Sequence, residues 1–418
     1  MVVTHIASTF AGGAGAGMLR YHAALLGVGV NSRILVDPGS LSNDPGIAVL
    51  PRKPLSLLPR VARRAGIELD PGEQMLQAVR QLDAKSGQEP NYELFSPPFS
   101  NLTPEDHPWV READVVNLHW VAGTVDWPRF FRKLRKPLII TLHDQQPYLG
   151  GFHYARDLEE NPWLGGLESK VREIKKTALR GHRVTVIGNS DWNTREAEAS
   201  GFFPDGTRFQ TVYYPLDTTV FTPRPKDAAR TALGIDPARA VIGFACEDLS
   251  NRRKGFDVLL EALPKLPSPL AAQCSLLSFG REPARQLKDR VPMPWLHLGH
   301  LQADAVKAAA YSAMDLFVVP SRAEAFGQTA IEAIACGTPV VASREGGLAE
   351  AVFQGEAGIL FETGDPRALA AAISSLLESP ERRAALATRG RALVVERHDA
   401  SKIGRQLLAL CEAAFERH

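Results

Sequence analysis

Two glutamates separated by seven residues offer the clearest chemistry in the chain, in the run Glu324-Ala-Phe-Gly-Gln-Thr-Ala-Ile-Glu332-Ala-Ile-Ala-Cys-Gly337-Thr-Pro-Val-Val. The apolar run Asp315–Val319 before it reads as a strand, and Pro320-Ser321-Arg322-Ala323 as the loop that follows. A short helix is expected to start near Gly327 and stop at Gly337. Glu324 then sits in the loop at the strand's carboxyl end, with Glu332 about one turn into the helix. Each carboxylate can accept hydrogen bonds from vicinal hydroxyls, and backbone N–H groups at the helix start can face an anion such as a diphosphate. That set suits a sugar at one end, a ribose at the other and phosphates between. Taken singly, Glu332 reads as a complement to the helix dipole and Glu324 as a solvated loop residue; the combination carries the chemistry.

Cations stand earlier in the chain, 70 residues before Glu324 in the case of Lys254. Asn251-Arg252-Arg253-Lys254-Gly255 precedes an amphipathic pattern at Phe256, Leu259, Leu260 and Leu263. Fixed cations there would stabilise a leaving diphosphate as its negative charge grows. Nearer the amino terminus, Gly12-Gly13-Ala14-Gly15-Ala16-Gly17 follows the first apolar run but misses the G-x-G-x-x-G register, because Met18 occupies the third glycine's place. Two histidines end successive strand candidates, in Asn117-Leu118-His119-Trp120 and Thr141-Leu142-His143-Asp144.

The elements that must position these residues alternate between short apolar runs and helical patterns, which predicts α/β architecture with parallel sheets. Strands are expected at Val2–Ser8, Ser32–Val36, Val115–Leu118, Pro137–Leu142 and Val184–Gly188, then at Ala240–Ala245, Ser275–Phe279, Asp315–Val319 and Val340–Ser343. Leu55–Arg64 and Glu73–Leu82 read as helices, and Ser96–Pro108 as an ordered loop. Pro215, Pro223 and Pro225 mark a boundary, giving a first domain over 1–222 and a second over 223–398. A last amphipathic helix, Asp399–His418, presents Ile403, Leu407, Cys411 and Phe415 and is expected to pack on the first domain. Ligands of doubly wound sheets gather beyond the strands' carboxyl ends, where all the motifs above fall.

The glutamate pair with Gly337, Pro339 and Val340, continued by Gly346-Gly347 and Glu350, resembles the signature of retaining glycosyltransferase family 4. The resemblance extends over nearly the whole chain and is most specific from Leu298 to Val352. It implies a GT-B fold, two Rossmann-like domains facing a cleft, and transfer of a sugar from a nucleotide-sugar donor to a hydroxyl acceptor, whether a glycan, a lipid-linked glycan or a small molecule. It assigns Glu324 to hydroxyls of the donor sugar, Glu332 to the ribose, and the backbone of Phe326 and Gly327 to sugar and phosphates. The nucleobase would lie by His300 and Leu301, and Lys254 would contact the diphosphate. Where the family has an arginine this chain has Asp248, so Arg252 or Arg253 is expected to substitute. Gly12 and Gly13 match the family's turn beside the donor phosphates, and His119 matches its histidine near the reacting carbon; with Glu324 it is the expected catalytic residue. The sequence around His119, His143 and Gly150-Gly151-Phe152-His153-Tyr154 is nearest to members that build bacterial exopolysaccharides, although the cysteines such members carry after His-Tyr are lacking. The family's favoured same-face mechanism lets the leaving diphosphate take the acceptor's proton. No D-x-D motif occurs, which predicts a site without metal, and no Ser-His-Asp order stands out.

Bulk properties agree with a folded protein: 418 residues, 44% hydrophobic, 23% charged and a net charge of +1, which gives no global attraction to nucleic acid. The four cysteines share no close spacing and read as buried thiols of a reducing compartment. No apolar stretch approaches the roughly 20 residues of a membrane helix, which predicts a cytoplasmic protein. Leu55–Arg64, with leucines among arginines, could rest on the inner face of an anionic membrane, as a peripheral contact. Two rival readings are a sugar phosphorylase or sugar-nucleotide epimerase of similar fold, and a non-enzymatic module that closes around a solute.

Overall fold

A computed structural model describes residues 1–39, 44–53, 70–281 and 285–418. The expected helix Leu55–Arg64, and with it the membrane contact, lies outside the described residues. The chain divides into two compact units, Met1–Val212 with Ser401–His418, and Tyr213–Ala400.

The first unit holds seven parallel strands: β1 (Val2–Ala7), β2 (Asn31–Val36), β3 (Ile47–Val49), β4 (Val115–Leu118), β5 (Leu138–Leu142), β6 (Val184–Gly188) and β7 (Arg208–Thr211). Their spatial order is β3-β2-β1-β4-β5-β6-β7. The second unit holds six more: β8 (Ala240–Asp248), β9 (Cys274–Arg281), β10 (Trp295–His297), β11 (Leu316–Val319), β12 (Val340–Ser343) and β13 (Gly358–Phe361), ordered β10-β9-β8-β11-β12-β13. Both are doubly wound, and strand order reverses between β1 and β4 in one and between β8 and β11 in the other. Those two reversals are where such sheets open a crevice for ligands.

Central strands are buried on both faces, as parallel sheets require; β4, β5, β6, β11 and β12 have no exposed residue. Trp127, Phe130 and Phe131 cover the first sheet, and Phe256, Leu259 and Ile373 the second. The thiols of Cys274, Cys336 and Cys411 are buried, Cys246 is half-buried, and all four are free.

Three details depart from the sequence reading. The units change over at Val212–Tyr213, not at 222. Leu216 N–H donates to the His398 carbonyl at 2.9 Å, and Arg391 donates to the Thr218 and Phe221 carbonyls at 2.7 and 2.5 Å, so this stretch is tied into the second unit. The glycine tract is more than a turn: Gly12, with φ +71°, closes the turn after β1, and the helix Gly12–Gly27 runs on through the rest of the tract, burying Gly15, Gly17 and Met18. Packing at the end of β1 there overrides glycine's poor helix propensity. The third concerns the final helix, Ala400–Glu416, which packs on the first unit; a Cβ on Gly404 would lie 2.4 Å from the Ala24 carbonyl oxygen. Ile403, Leu407 and Cys411 are buried, but Phe415 is 51% exposed. Successive steps of four residues drift about 40° around an α-helix, so Leu410 and Ala414 take the inner face in its place.

Candidate active site

In the second unit, β8 and β11 stand on either side of the strand-order reversal, and each ends in a loop that carries part of the site. Asp248 closes β8, and its carboxylate accepts the Ser250 N–H at 2.8 Å, turning the chain. Arg252–Lys254 then form a single 3-10 turn that ends on Gly255. Gly255 has φ +71°, and a Cβ there would lie 1.9 Å from the Pro320 carbonyl oxygen, so only glycine lets the two loops meet. Arg322 locks them: its guanidinium meets Asp257 at 2.7 and 2.8 Å, and it also donates to the Arg252 carbonyl at 2.8 Å. Neither Arg322 nor Asp257 was flagged by the sequence; only their spacing around the two loop motifs could have suggested it.

This clasp brings Lys254 Nζ to 2.5 Å from Glu324 Oε2, with Arg253 Nη1 at 3.9 Å from the same oxygen and Ser321 Oγ donating to it at 3.2 Å. Burial would raise the Glu324 carboxyl; the two cations and the hydrogen bonds from Lys254 and Ser321 outweigh it and hold the group below its usual range. Of the two arginines, Arg253 turns inward, donating to the Ala323 carbonyl at 3.1 Å, whereas Arg252 is exposed. Arg253 is therefore the one beside the glutamate.

Phe326 is buried, its ring within 5.8 Å of the Tyr213, Tyr214 and His398 rings. Gly327 (φ +109°) precedes the helix Gln328–Ala335, whose start has no side-chain cap. Glu332 lies inside that helix, buried, and accepts from Tyr311 Oη at 2.9 Å. His300 is half-exposed, 4.0 Å from Glu247 Oε2, and Leu301 is partly exposed beside it. The site thus combines two cations, the Glu324 carboxylate and an uncapped helix start beyond the carboxyl ends of β8 and β11, with Glu332 farther along that helix against Tyr311.

In the first unit, Gly12 (φ +71°) and Gly13 open the first helix just after β1. His119, beyond β4, is 1% exposed, and both its ring nitrogens are engaged: Nε2 lies 2.7 Å from His5 Nδ1 and Nδ1 lies 2.9 Å from His143 Nε2. His5, on β1 beside Asn117, was not anticipated; a histidine inside an apolar strand gives no periodic signal. Burial, then neighbouring imidazoles, holds His119 well below its ordinary value, and burial pushes His143 down to about 4.

A second buried cluster borders this one. Asp144 Oδ2 lies 2.7 Å from His153 Nδ1 and accepts from Trp120 Nε1 at 2.8 Å, while His153 Nε2 lies 2.8 Å from Ser96 Oγ. The order is Ser-His-Asp, brought together by folding although no such order stands out in the sequence. Ser96 is 3% exposed, and its own N–H donates to the Gly151 carbonyl. Glu168 receives the N–H groups of Gly150, Gly151 and Phe152, and buried Lys175 donates to the carbonyls of Gln146, Leu149 and Gly150. The cluster therefore clamps the loop that carries Gly150–His153.

Residues 239–379 match the model of the family described as glycosyl transferases group 1. A D-inositol 3-phosphate glycosyltransferase of Segniliparus rotundus is 35% identical over 293 residues, 67% of this chain and 62% of that protein. One of a Mycobacterium species (strain KMS) is 33% identical over 283 residues, 63% of this chain and 59% of its own length. The chain thus spans roughly three fifths of these curated relatives. Among solved structures, sucrose-phosphate synthase from Thermosynechococcus elongatus superposes with a TM-score of 0.71 at 22% identity, covering 100% of both chains. Anabaena HepE in complex with UDP-glucose gives 0.68 at 20% identity, covering 99% of this chain and 100% of that one. The two parallel sheets are a GT-B fold, and residues 239–379 are similar to the glycosyl transferases group 1 family.

Proposed function

We propose that this protein is a retaining glycosyltransferase of family 4 that moves a sugar from a nucleotide-sugar donor to a hydroxyl acceptor. The observation that carries the reading is the meeting of Lys254, Arg253 and Glu324 beyond β8 and β11, next to the uncapped start of the helix Gln328–Ala335. Lys254 and Arg253 would receive the diphosphate, whose charge rises as the glycosidic bond breaks. The helix start adds favourable potential for an anion. Glu324 would take hydroxyls of the sugar and Glu332 the ribose, with the base near His300 and Leu301. Gly12 and Gly13 would lie along the phosphates, and His119 would act on the sugar.

With cations supplying the positive charge, the proposed chemistry proceeds without a metal, and the leaving diphosphate accepts the acceptor's proton. Glu324, held ionised by Lys254, is poorly suited to give or take a proton at neutral pH and well suited to accept hydroxyl hydrogens. The named relatives act on D-inositol 3-phosphate, and HepE was solved with UDP-glucose; both support a nucleotide-sugar donor and a hydroxyl acceptor here. A glycan acceptor of polysaccharide synthesis, lipid-linked or free, and a cytoplasmic setting complete the proposal. No helix among the described residues is long and apolar enough to cross a membrane.

The test is a panel of UDP-, GDP- and ADP-sugars assayed for release of nucleoside diphosphate with and without hydroxyl acceptors. Release that rises with acceptor supports transfer. Sugar 1-phosphate as the product, or an epimerised nucleotide sugar, would replace it with a phosphorylase or an epimerase.

A further inference from the structure

Five side chains of the first unit form one unbranched chain: His22 Nδ1 lies 2.7 Å from Ser32 Oγ, Ser32 Oγ 3.0 Å from His5 Nε2, His5 Nδ1 2.7 Å from His119 Nε2, and His119 Nδ1 2.9 Å from His143 Nε2. None is more than 8% exposed. His22 comes from the first helix, Ser32 from β2 and His5 from β1, while His119 and His143 follow β4 and β5, so the chain runs across the strand-order reversal.

A neutral imidazole carries one N–H and one bare nitrogen, and a serine hydroxyl has one hydrogen to give. Each link needs one donor and one acceptor, so along His5, His119 and His143 fixing one link fixes the other; at Ser32, whose oxygen can accept twice, the order passes on to His22 when the hydroxyl donates to one of its two imidazoles. In the His5–His119–His143 segment either every hydrogen points toward His143 or every one points back. A mixed order there would set two hydrogens or two lone pairs face to face, at the cost of a buried unsatisfied group. Burial keeps the rings neutral, pushing His5 down to about 3 and His143 down to about 4. Asp144 beside His143 and Asp44 beside His22 are the carboxylates that bear on its two ends.

We propose that this chain is a proton-ordered relay in which His5 is a positioning residue, fixing which ring nitrogen of His119 bears the hydrogen. A hydroxyl that takes the place of His143 at His119 Nδ1 meets a nitrogen whose role, donor or acceptor, is already assigned through His5. The consequence for turnover rests on the reading of His119 as a substrate contact; the tautomeric order does not.

The test uses the full-length protein labelled with ¹⁵N-histidine, His119 being assigned from a His119→Ala spectrum. At neutral pH the wild type should show one protonated and one bare ring nitrogen for His119, a single tautomer. His5→Phe, which keeps a ring but offers no nitrogen, should move both resonances toward a tautomeric average, and His5→Asn, which preserves a polar atom near Nδ1, should restore much of the separation. If His5→Phe does not fold, Ser32→Ala cuts the chain one link away and should perturb the His119 pair in the same sense. Averaged His119 nitrogens in the wild type, or a pair unmoved by both His5→Phe and Ser32→Ala, would overturn the relay. Hydrolysis of the nucleotide sugar that the donor panel identifies separates the two readings. An approximately tenfold lower kcat in His5→Phe with unchanged KM supports positioning. Full activity in His5→Phe beside an inactive His119→Ala refutes it. Full activity in His119→Ala removes His119 from the proposed function and leaves the nitrogen spectra to decide the relay.

Discussion

Lys254 Nζ and Glu324 Oε2 stand 2.5 Å apart, so a cation read as a phosphate contact and a carboxylate read as a sugar contact neutralise one another across the reversal point of the second sheet. Arg253 lies 3.9 Å from the same oxygen. On the proposed function, a diphosphate there would compete with Glu324 for both cations.

Lys254→Ala should therefore weaken UDP binding by about tenfold or more, the loss of one charge-assisted contact worth roughly 1.5–3 kcal/mol. The fold should survive, since Lys254 lies on a partly exposed loop that Arg322 and Asp257 hold without it. Calorimetric titration with UDP checks the first statement and thermal unfolding the second. Unchanged UDP affinity would remove the loop from the donor site.

The two glutamates should respond differently to replacement by glutamine. Glu324→Gln should lower turnover or alter which sugar is accepted while free UDP still binds. Glu332→Gln should weaken UDP and UDP-sugar alike, by roughly tenfold, because both ligands carry the ribose. Equal losses on free UDP would make the pair generic charges of the site. Glu332 also accepts from Tyr311 Oη at 2.9 Å, so Tyr311→Phe is the control for its orientation.

Acid should destabilise the first unit earlier than carboxylate titration alone would. His5 is pushed down to about 3 and His143 to about 4, so between those values and the unfolded value of about 6.5 only the unfolded chain binds the protons. Stability must then fall as pH drops below about 6.5, by up to about 1.4 kcal/mol per pH unit for each such ring. The depressed carboxyls of Asp144 and Glu324 act later, their contribution being lost only as pH falls through their lowered folded values. Denaturant midpoints at pH 7.5 and 5 measure this, and His5→Phe should flatten the difference. Equal midpoints would contradict the buried neutral rings.

Ser96 has the hydrogen-bond order of a hydrolase nucleophile but is closed in on every side. It should resist fluorophosphonate labelling, read by mass spectrometry. Ser96→Ala, leaving His153 Nε2 without its partner, should cost about 1–3 kcal/mol of stability. Stoichiometric labelling would mean that the loop Gly150–His153 opens.

Sequence reading found the central strands of both sheets and none of the four edge strands. β3, β7, β10 and β13 are each three or four residues long and border the sheets. One flank meets no neighbouring strand, so several of their residues are only partly buried; β7 and β10 mix polar with apolar residues, and the apolar runs at β3 and β13 are too short to separate from loop by pattern alone. The donor loops were legible because a carboxylate pair and a basic triplet keep fixed spacings along the chain. The histidine relay was not, since His5, His22 and Ser32 lie far from His119 in sequence and meet only through the crossovers of the first sheet. The final helix was recognised by its spacing, yet Phe415 fell on the outer face because a strict step of four drifts around the helix.

The most direct single measurement is the stereochemistry and yield of transfer from a nucleotide α-sugar, followed by NMR of the product, in the wild type and in Glu324→Gln. Acceptor-dependent release of nucleoside diphosphate with an α-linked product in the wild type, reduced about tenfold or more by Glu324→Gln, is the predicted result. A β-linked product, or equal yield from both proteins, would contradict a retaining transferase whose donor sugar is held by Glu324.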